Sequence, residues 1–304
     1  AHTNEGFCCA AKHFPGDGLD FRDQHVADSV NDMSCEEWDA SYGKVYQNLI
    51  DNGLEAIMAG HIMQPAYTRH FNPGIKDEDI MPATLSPELI EGLLRGKLGF
   101  NGMVLTDASH MVGLTCCMKR SEMLPHTIAA GVDMFLFFNE MDEDFASMMA
   151  GYENGIITEE RLNDALHRIL ALKAHMGLHK KAKNEIVPPV EVMEQVVGCE
   201  EHKAMAREIS EKGITLVKYK DEDVLPMIPS RYKRIMIVSV SGLSAGVMGT
   251  MMAKYMGGGK KSPAERLRDK LIEKGFDAFI YESPLDALAK RAAAGEKVDI
   301  NMYF

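Results

Sequence analysis

Through the first 183 residues, short apolar runs alternate with longer amphipathic stretches. Four runs predict strands: GFCCAAKHF (6–14), LEAIMAGHI (54–62), GMVLTDA (102–108) and VDMFLFF (132–138). They are apolar on both faces and separated by helix-length segments, the βα pattern of a buried parallel sheet. Between them, LSPELIEGLLRGKLGF reads as a helix with Ser86 as N-cap, Pro87 at its first position, and Leu89, Ile90, Leu93 and Leu94 on one face. ITEERLNDALHRILALKAHMGL predicts another, capped by Thr158, with Leu162, Leu166, Ile169 and Leu172 as its apolar face and Gly177 closing it.

Around residue 183 the texture changes. KNEIVPPVEV is polar and contains prolines, which marks a boundary between domains. Beyond it, GITLVKY (213–219), RIMIVSV (234–240), DAFIYE (277–282) and DINMYF (299–304) predict strands, and PAERLRDKLIEKGF predicts a helix. The expected organisation is an α/β catalytic domain over 1–183, a linker and connecting helix over 184–212, and a second α/β unit over 213–304.

Composition narrows the partners. A net charge of −12 over 304 residues lacks the basic footprint that nucleic acid or an anionic membrane surface requires. No apolar run is long enough to span a bilayer. The cysteines at 8, 9, 35, 116, 117 and 199 match neither zinc spacing nor a compact disulfide framework. They are expected to be reduced core thiols, which favours a cytoplasmic location.

The chemistry gathers at strand ends. Lys12 and His13 end the first predicted strand, His61 closes the second, and Asp107 closes the third. Catalytic groups of parallel α/β sheets collect at this C-terminal edge, where the loops converge. The segment AAKHFPGDGLDFRDQH (10–25) adds a Pro-Gly turn followed by a dense set of titratable groups.

These residues carry a resemblance. KHFPGDGLDFRDQH is similar to the signature of glycoside hydrolase family 3, particularly its β-N-acetylhexosaminidase branch: Lys12, His13, Phe14, Pro15, Gly16, Gly18, Asp23 and His25 fall on its offsets. LRGKLGFNGMVLTDASHM resembles the family's nucleophile segment, and the region after the linker resembles the entry into its C-terminal domain. The resemblance implies a partial (α/β)8 TIM-type barrel followed by a partial α/β sandwich, the chain lacking about the first half of the barrel.

It also implies roles. Asp107 would be the nucleophile of a retaining glycosidase, His25 the acid/base and Asp23 the group that orients its imidazole. Lys12, His13, His61 and Met111 would bind substrate. The implied substrate is a small chitin- or peptidoglycan-derived saccharide ending in β-linked N-acetylhexosamine, as in cell wall recycling; no metal or cofactor is implied. A histidine suits this work because one imidazole can give a proton and then take one back near neutral pH.

Departures and decoys complete the reading. Gln24 stands where the branch usually has Ser and Asp17 where it usually has His. Asp107-Ala108-Ser109-His110-Met111 keeps the branch's Met but not its second acid, and lacks the Trp usual after the nucleophile in β-glucosidases. GLSAG (242–246) looks like a nucleophile elbow around Ser244, but no histidine follows His202 to complete a triad. GGGKKS (257–262) reads as a loop, His175 and His179 as a pair complementing a helix end, and NEMDEDF (139–145) as a solvated loop and helix start. The rival activities are a β-N-acetylglucosaminide phosphorylase or β-glucosidase on the same residues. A non-catalytic scaffold or carbohydrate-binding protein is the rival of another class.

Overall fold

The computed structural model describes residues 7–218, 225–239 and 261–282. It divides into two compact units, Ala1–Cys199 and Glu200–Phe304, the division falling inside the expected linker segment. The fold is α/β, as the apolar runs predict.

In the first unit, strands β1 (Ala10–Phe14), β3 (Ala56–Ala59), β5 (Met103–Ala108) and β6 (Met134–Leu136) form one sheet in the order β1-β3-β5-β6. All neighbours are parallel. The sheet is an open arc of barrel wall. Two short strands, β2 (Ser29–Val30) and β4 (Ile62–Met63), pair parallel as a separate ribbon. Because Ala59 is in register with both Phe14 and Thr106, the residues beside them, His13 and Asp107, are brought to the same edge of the sheet.

The core holds the strands at this register. Ile57 and Val104 are fully buried beneath the Glu88–Lys97 helix, whose Leu89, Ile90, Leu93 and Leu94 are buried as the sequence predicts. That helix is wound as a π-helix rather than an α-helix, and Leu98 N–H bonds to the Leu93 carbonyl at 3.0 Å. Ser86 Oγ still accepts from the Leu89 amide at 3.3 Å. Thr158 Oγ1 likewise caps the Glu159–His175 helix at the Arg161 amide, and Gly177 ends it with φ +69°. An aromatic cluster sits under the end of β1: Phe14 meets Trp38 and Tyr46 edge-on at 6.2 and 5.3 Å, and Trp38 meets Tyr67 at 5.3 Å. Each such pair contributes roughly 1 kcal/mol beyond its buried area.

The N-terminal edge is closed by charge. The Asp133 side chain, fully buried, bonds Arg95 at 2.9 Å, Arg161 at 2.5 Å and the Val104 amide at 2.8 Å. The sequence reading placed none of these contacts, because the partners lie 38, 28 and 29 residues away.

In the second unit, β7 (Arg234–Ile237) and β8 (Asp277–Ile280) are parallel, with the Pro263–Glu273 helix between them in sequence. Ser262 and Glu265 cap that helix reciprocally. The expected strand over 213–219 does not form within its described part: Gly213 ends the Glu200–Gly213 helix and 214–218 is irregular. Ser244, the glycines at 257–259 and the strand expected over 299–304 lie outside the described residues.

Three local expectations are corrected. None of the six cysteines is buried; all are free thiols, with Cys116 exposed and the rest half-buried. The acidic run 139–145 is not wholly solvated, because Asp144 is buried against Arg120. His175 bonds Glu55 at 2.9 Å rather than only complementing a helix end.

Candidate active site

At the end of β1 the chain makes its Pro15-Gly16 turn over the ring of Tyr42. Gly16 has φ +136°, and a Cβ there would meet that ring at 2.3 Å, so no other residue fits without a shift. The turn is pinned from three sides: Trp38 Nε1 donates to the Pro15 carbonyl at 2.7 Å, Asn31 Nδ2 to the Gly16 carbonyl at 3.2 Å, and Tyr42 Oη to the Asp17 carbonyl at 2.7 Å. Its effect is to fold Asp17 back onto the strand. His13 Nδ1 donates to Asp17 Oδ2 at 2.5 Å.

The other ring nitrogen faces the next strand but one. His13 Nε2 lies 3.2 Å from Asp107 Oδ2, and both side chains are less than one-fifth exposed. Asp107 Oδ1 accepts from the Ala108 amide at 2.7 Å. The Asp107 carboxylate therefore sits at the strand edge with a separate group beside each oxygen.

The loop after the turn carries the Asp23–His25 pair. The Asp23 carboxylate accepts from the His25 amide at 2.9 Å and from His25 Nδ1 at 2.7 Å, and these bonds hold its pKa below the ordinary value. With Nδ1 donating, His25 Nε2 is the nitrogen left for chemistry. Both side chains are about two-thirds exposed. Earlier in the loop, Arg22 grips Asp20 with three side-chain bonds and its backbone amide, and the Val30 amide adds another to Asp20 at 3.0 Å.

This loop is tied to the segment that follows Asp107. The Val112 amide donates to the His25 carbonyl at 3.3 Å and the Gly113 amide to the Gln24 carbonyl at 3.0 Å. Gly113 permits the approach: a Cβ there would lie 3.1 Å from the Gln24 carbonyl oxygen and 3.2 Å from that of Ala27. Asp107, His13, Asp23 and His25 thus belong to one strand-end assembly.

His61 and Met111 are placed differently. His61 is buried, with Nε2 3.0 Å from the Ala108 carbonyl and Nδ1 2.9 Å from Thr84 Oγ1. Burial lowers its pKa, which favours the neutral ring. Nε2 faces a carbonyl and so carries the hydrogen, while Thr84 Oγ1 also lies 2.9 Å from the Gly60 carbonyl. Both nitrogens are therefore occupied inside the fold, beside Ala108 at the end of β5. Met111 is buried, and Lys12 in β1 is exposed.

Two supporting groups were not visible from sequence. Arg120 makes a two-pronged ion pair with Asp144 at 2.7 Å and reaches the Ser109 hydroxyl at 3.1 Å and the Phe137 carbonyl at 3.0 Å. It joins the ends of β5 and β6 to the Met141–Glu153 helix. Bonding from Arg120 holds the Asp144 carboxyl below its usual range. Gln24 is the other group: its Oε1 accepts from the His61 amide at 2.8 Å and its Nε2 reaches Asp17 at 3.4 Å. Among the described residues no cluster of three His, Cys, Asp or Glu side chains could hold a metal, and no helix is long and apolar enough to cross a membrane.

The profile described as glycosyl hydrolase family 3 N terminal domain matches residues 2–172. The chain belongs to glycoside hydrolase family 3. It is 44% identical over 279 residues to a β-N-acetylglucosaminidase/β-glucosidase of Cellulomonas fimi, covering 91% of this chain and 47% of that relative. It is 30% identical over 138 residues to a β-hexosaminidase of Methylobacillus flagellatus, covering 45% and 36%.

Among solved structures, a β-glucoside phosphorylase bound to 2FGlc superposes with TM-score 0.79 at 42% identity, covering 93% of this chain and 48% of the other. A family 3 β-N-acetylglucosaminidase from Paenibacillus gives 0.67 at 25%, covering 96% and 52%. This chain spans about half the length or less of these relatives.

Proposed function

We propose that the intact protein is a retaining glycosidase that releases terminal β-linked N-acetylhexosamine from small saccharides. The observation that supports it is the anchoring of the Asp23–His25 loop to the segment after Asp107, through the Val112 and Gly113 amides. In the first step an Asp107 carboxylate oxygen attacks the anomeric carbon as the bond from that carbon to the leaving oxygen breaks. The leaving oxygen takes the proton of the His25 imidazolium. In the second step His25 takes a proton from water, the water oxygen attacks the same carbon, and Asp107 departs. Retention follows from two inversions.

The surrounding groups serve these two. Asp23 holds the His25 ring with Nε2 directed outward for proton transfer. Lys12 presents a donor to sugar hydroxyls at the strand end, and the His13 ring, bonded to Asp17 through one nitrogen, faces Asp107 with the other. His61 supports the carbonyl of Ala108, the residue whose amide steadies Asp107. Met111 is buried, its amide bonded to the Ala108 carbonyl at 3.1 Å.

The test is turnover of an activated aryl N-acetylglucosaminide by the intact protein and its Asp107→Ala variant. Loss of about 10⁴-fold or more in kcat is expected for removal of a covalent nucleophile; unchanged turnover would overturn the assignment. A second reading is favoured by the 42% identity to a β-glucoside phosphorylase. Phosphate would then replace water on the same intermediate, and a histidine acid/base would not repel that anion as a carboxylate would. Formation of a sugar 1-phosphate in phosphate buffer separates the two. A matched pair of aryl glucoside and N-acetylglucosaminide substrates tests which sugar is preferred.

A further inference from the structure

The two places where the chain departs from the pattern around its Pro-Gly turn are in contact with each other. Gln24 Nε2 reaches both oxygens of Asp17, at 3.4 and 3.5 Å. Each departure also touches a strand-end histidine: Asp17 holds the ring of His13, and Gln24 accepts from the backbone of His61. We infer that Asp17 is a positioning residue, fixing the His13 ring so that its Nε2 is presented to Asp107 in a carboxylate–imidazole–carboxylate chain.

A carboxylate offers only acceptors, so the 2.5 Å contact requires a hydrogen on His13 Nδ1. That bond removes the ring flip that would swap the two nitrogens and their positions. The ring then has one nitrogen for Asp17 and one, 3.2 Å away, for the nucleophile.

Asp17 is itself held well. Its carbonyl accepts from Tyr42, its carboxylate from Gln24, and the flanking Gly16 and Gly18 have φ of +136° and +98°, which set the sharp return of the chain. Gly60 leaves room behind the ring, since a Cβ there would come within 2.9 Å of His13 Cβ. With Asp107 fixed on its other oxygen by the Ala108 amide, the chain determines where the nucleophilic oxygen sits. Misplacing it by about 1 Å would cost up to about 100-fold in rate.

This inference rests on Asp107 being the nucleophile, and the test keeps the two apart. In the intact protein, Asp17→Asn is expected to lower kcat by about 10- to 100-fold with little change in KM. Asp17→Glu is expected to recover most of that loss. In the His13→Gln background, Asp17→Asn should add nothing further, because the residue acts through the ring.

Independently of activity, a proton bound in so short a bond should give a downfield proton-NMR signal. It is expected in the unmodified protein and in Asp17→Glu, and absent in Asp17→Asn and in His13→Gln. Additive losses in the double variant, or a ring signal that persists in Asp17→Asn, would overturn the inference. An Asp107→Ala protein with full turnover but an Asp17-dependent ring signal would remove the function and leave the Asp17–His13 restraint standing.

Discussion

The amide of Val112 donates to the carbonyl of His25 across 3.3 Å, joining the loop that carries the Asp23–His25 pair to the segment five residues past Asp107. The link depends on a bare backbone at the next residue. Gly113→Ala would place its Cβ 3.1 Å from both the Gln24 oxygen and the His61 side chain. The expected outcome is a small loss of stability, about 1 kcal/mol, with a disproportionate fall in kcat of about 10-fold or more. Thermal melting and steady-state kinetics on one preparation check both halves. A fall in stability with unchanged kcat would mean that this contact does not position the loop.

If His25 protonates the leaving oxygen, its removal should be felt according to how badly that oxygen needs a proton. His25→Ala is expected to slow substrates with poor leaving groups by about 10²- to 10⁴-fold. The glycosylation step for a strongly acidic phenol leaving group should change little. Asp23→Asn should show the same pattern with smaller losses, since Asp23 acts by orienting the ring. Equal losses across a leaving-group series would argue for a purely structural role of the loop.

The Arg120–Asp144 pair gives a dependence on pH. Bonding from Arg120 lowers the Asp144 pKa, so the folded protein holds this proton less tightly than the unfolded chain. Its contribution to stability is complete above the unfolded value near about 3.9 and drains away as pH falls through the lower, folded value. Urea midpoints of the unmodified protein should fall over this acidic window more steeply than those of Asp144→Asn. At neutral pH the variant should be less stable by about 3 kcal/mol, because Arg120 is left part-buried without its partner. A variant with an identical pH slope would show that the pair does not carry this linkage.

The Pro-Gly turn is expected to tolerate no side chain. Gly16→Ala combines a left-handed backbone with a 2.3 Å clash against the Tyr42 ring, so a loss of about 3 kcal/mol is expected. Gly18→Ala, with a similar φ but nothing within 4 Å, should cost less. Chemical denaturation of the two variants side by side checks the difference, and equal losses would mean that the Tyr42 contact does not set the turn.

What could be read from the residues alone was the part of the molecule written in local periodicity and in motif spacing. Strands within 6–14, 54–62 and 102–108, and the helix face of Leu89, Ile90, Leu93 and Leu94, follow from runs of apolar residues and their neighbours, although the second strand stops at Ala59, before His61. Parallel order then brings His13 and Asp107 to one edge. The π winding of that helix was not legible, since the same four buried residues also suit an α-helix.

Contacts between distant polar residues were hidden for a related reason. Asp144 reads as one acid in a solvated run until Arg120, 24 residues earlier, folds against it. His61 looked like a free strand-end donor because its partners, Thr84 and Ala108, lie 23 and 47 residues away. The meeting of Asp17 with His13 needed the turn geometry of Gly16, which composition signals but does not specify.

The most direct measurement is to trap the sugar where it bonds. A 2-deoxy-2-fluoro glycoside with a reactive leaving group slows the second step, so a covalent intermediate accumulates and can be located by digestion and mass spectrometry. With the intact protein, the label is expected on the peptide containing Asp107, at that carboxylate, and absent in Asp107→Ala. A label on any other side chain, or an Asp107→Ala protein that is labelled as readily, would contradict the account.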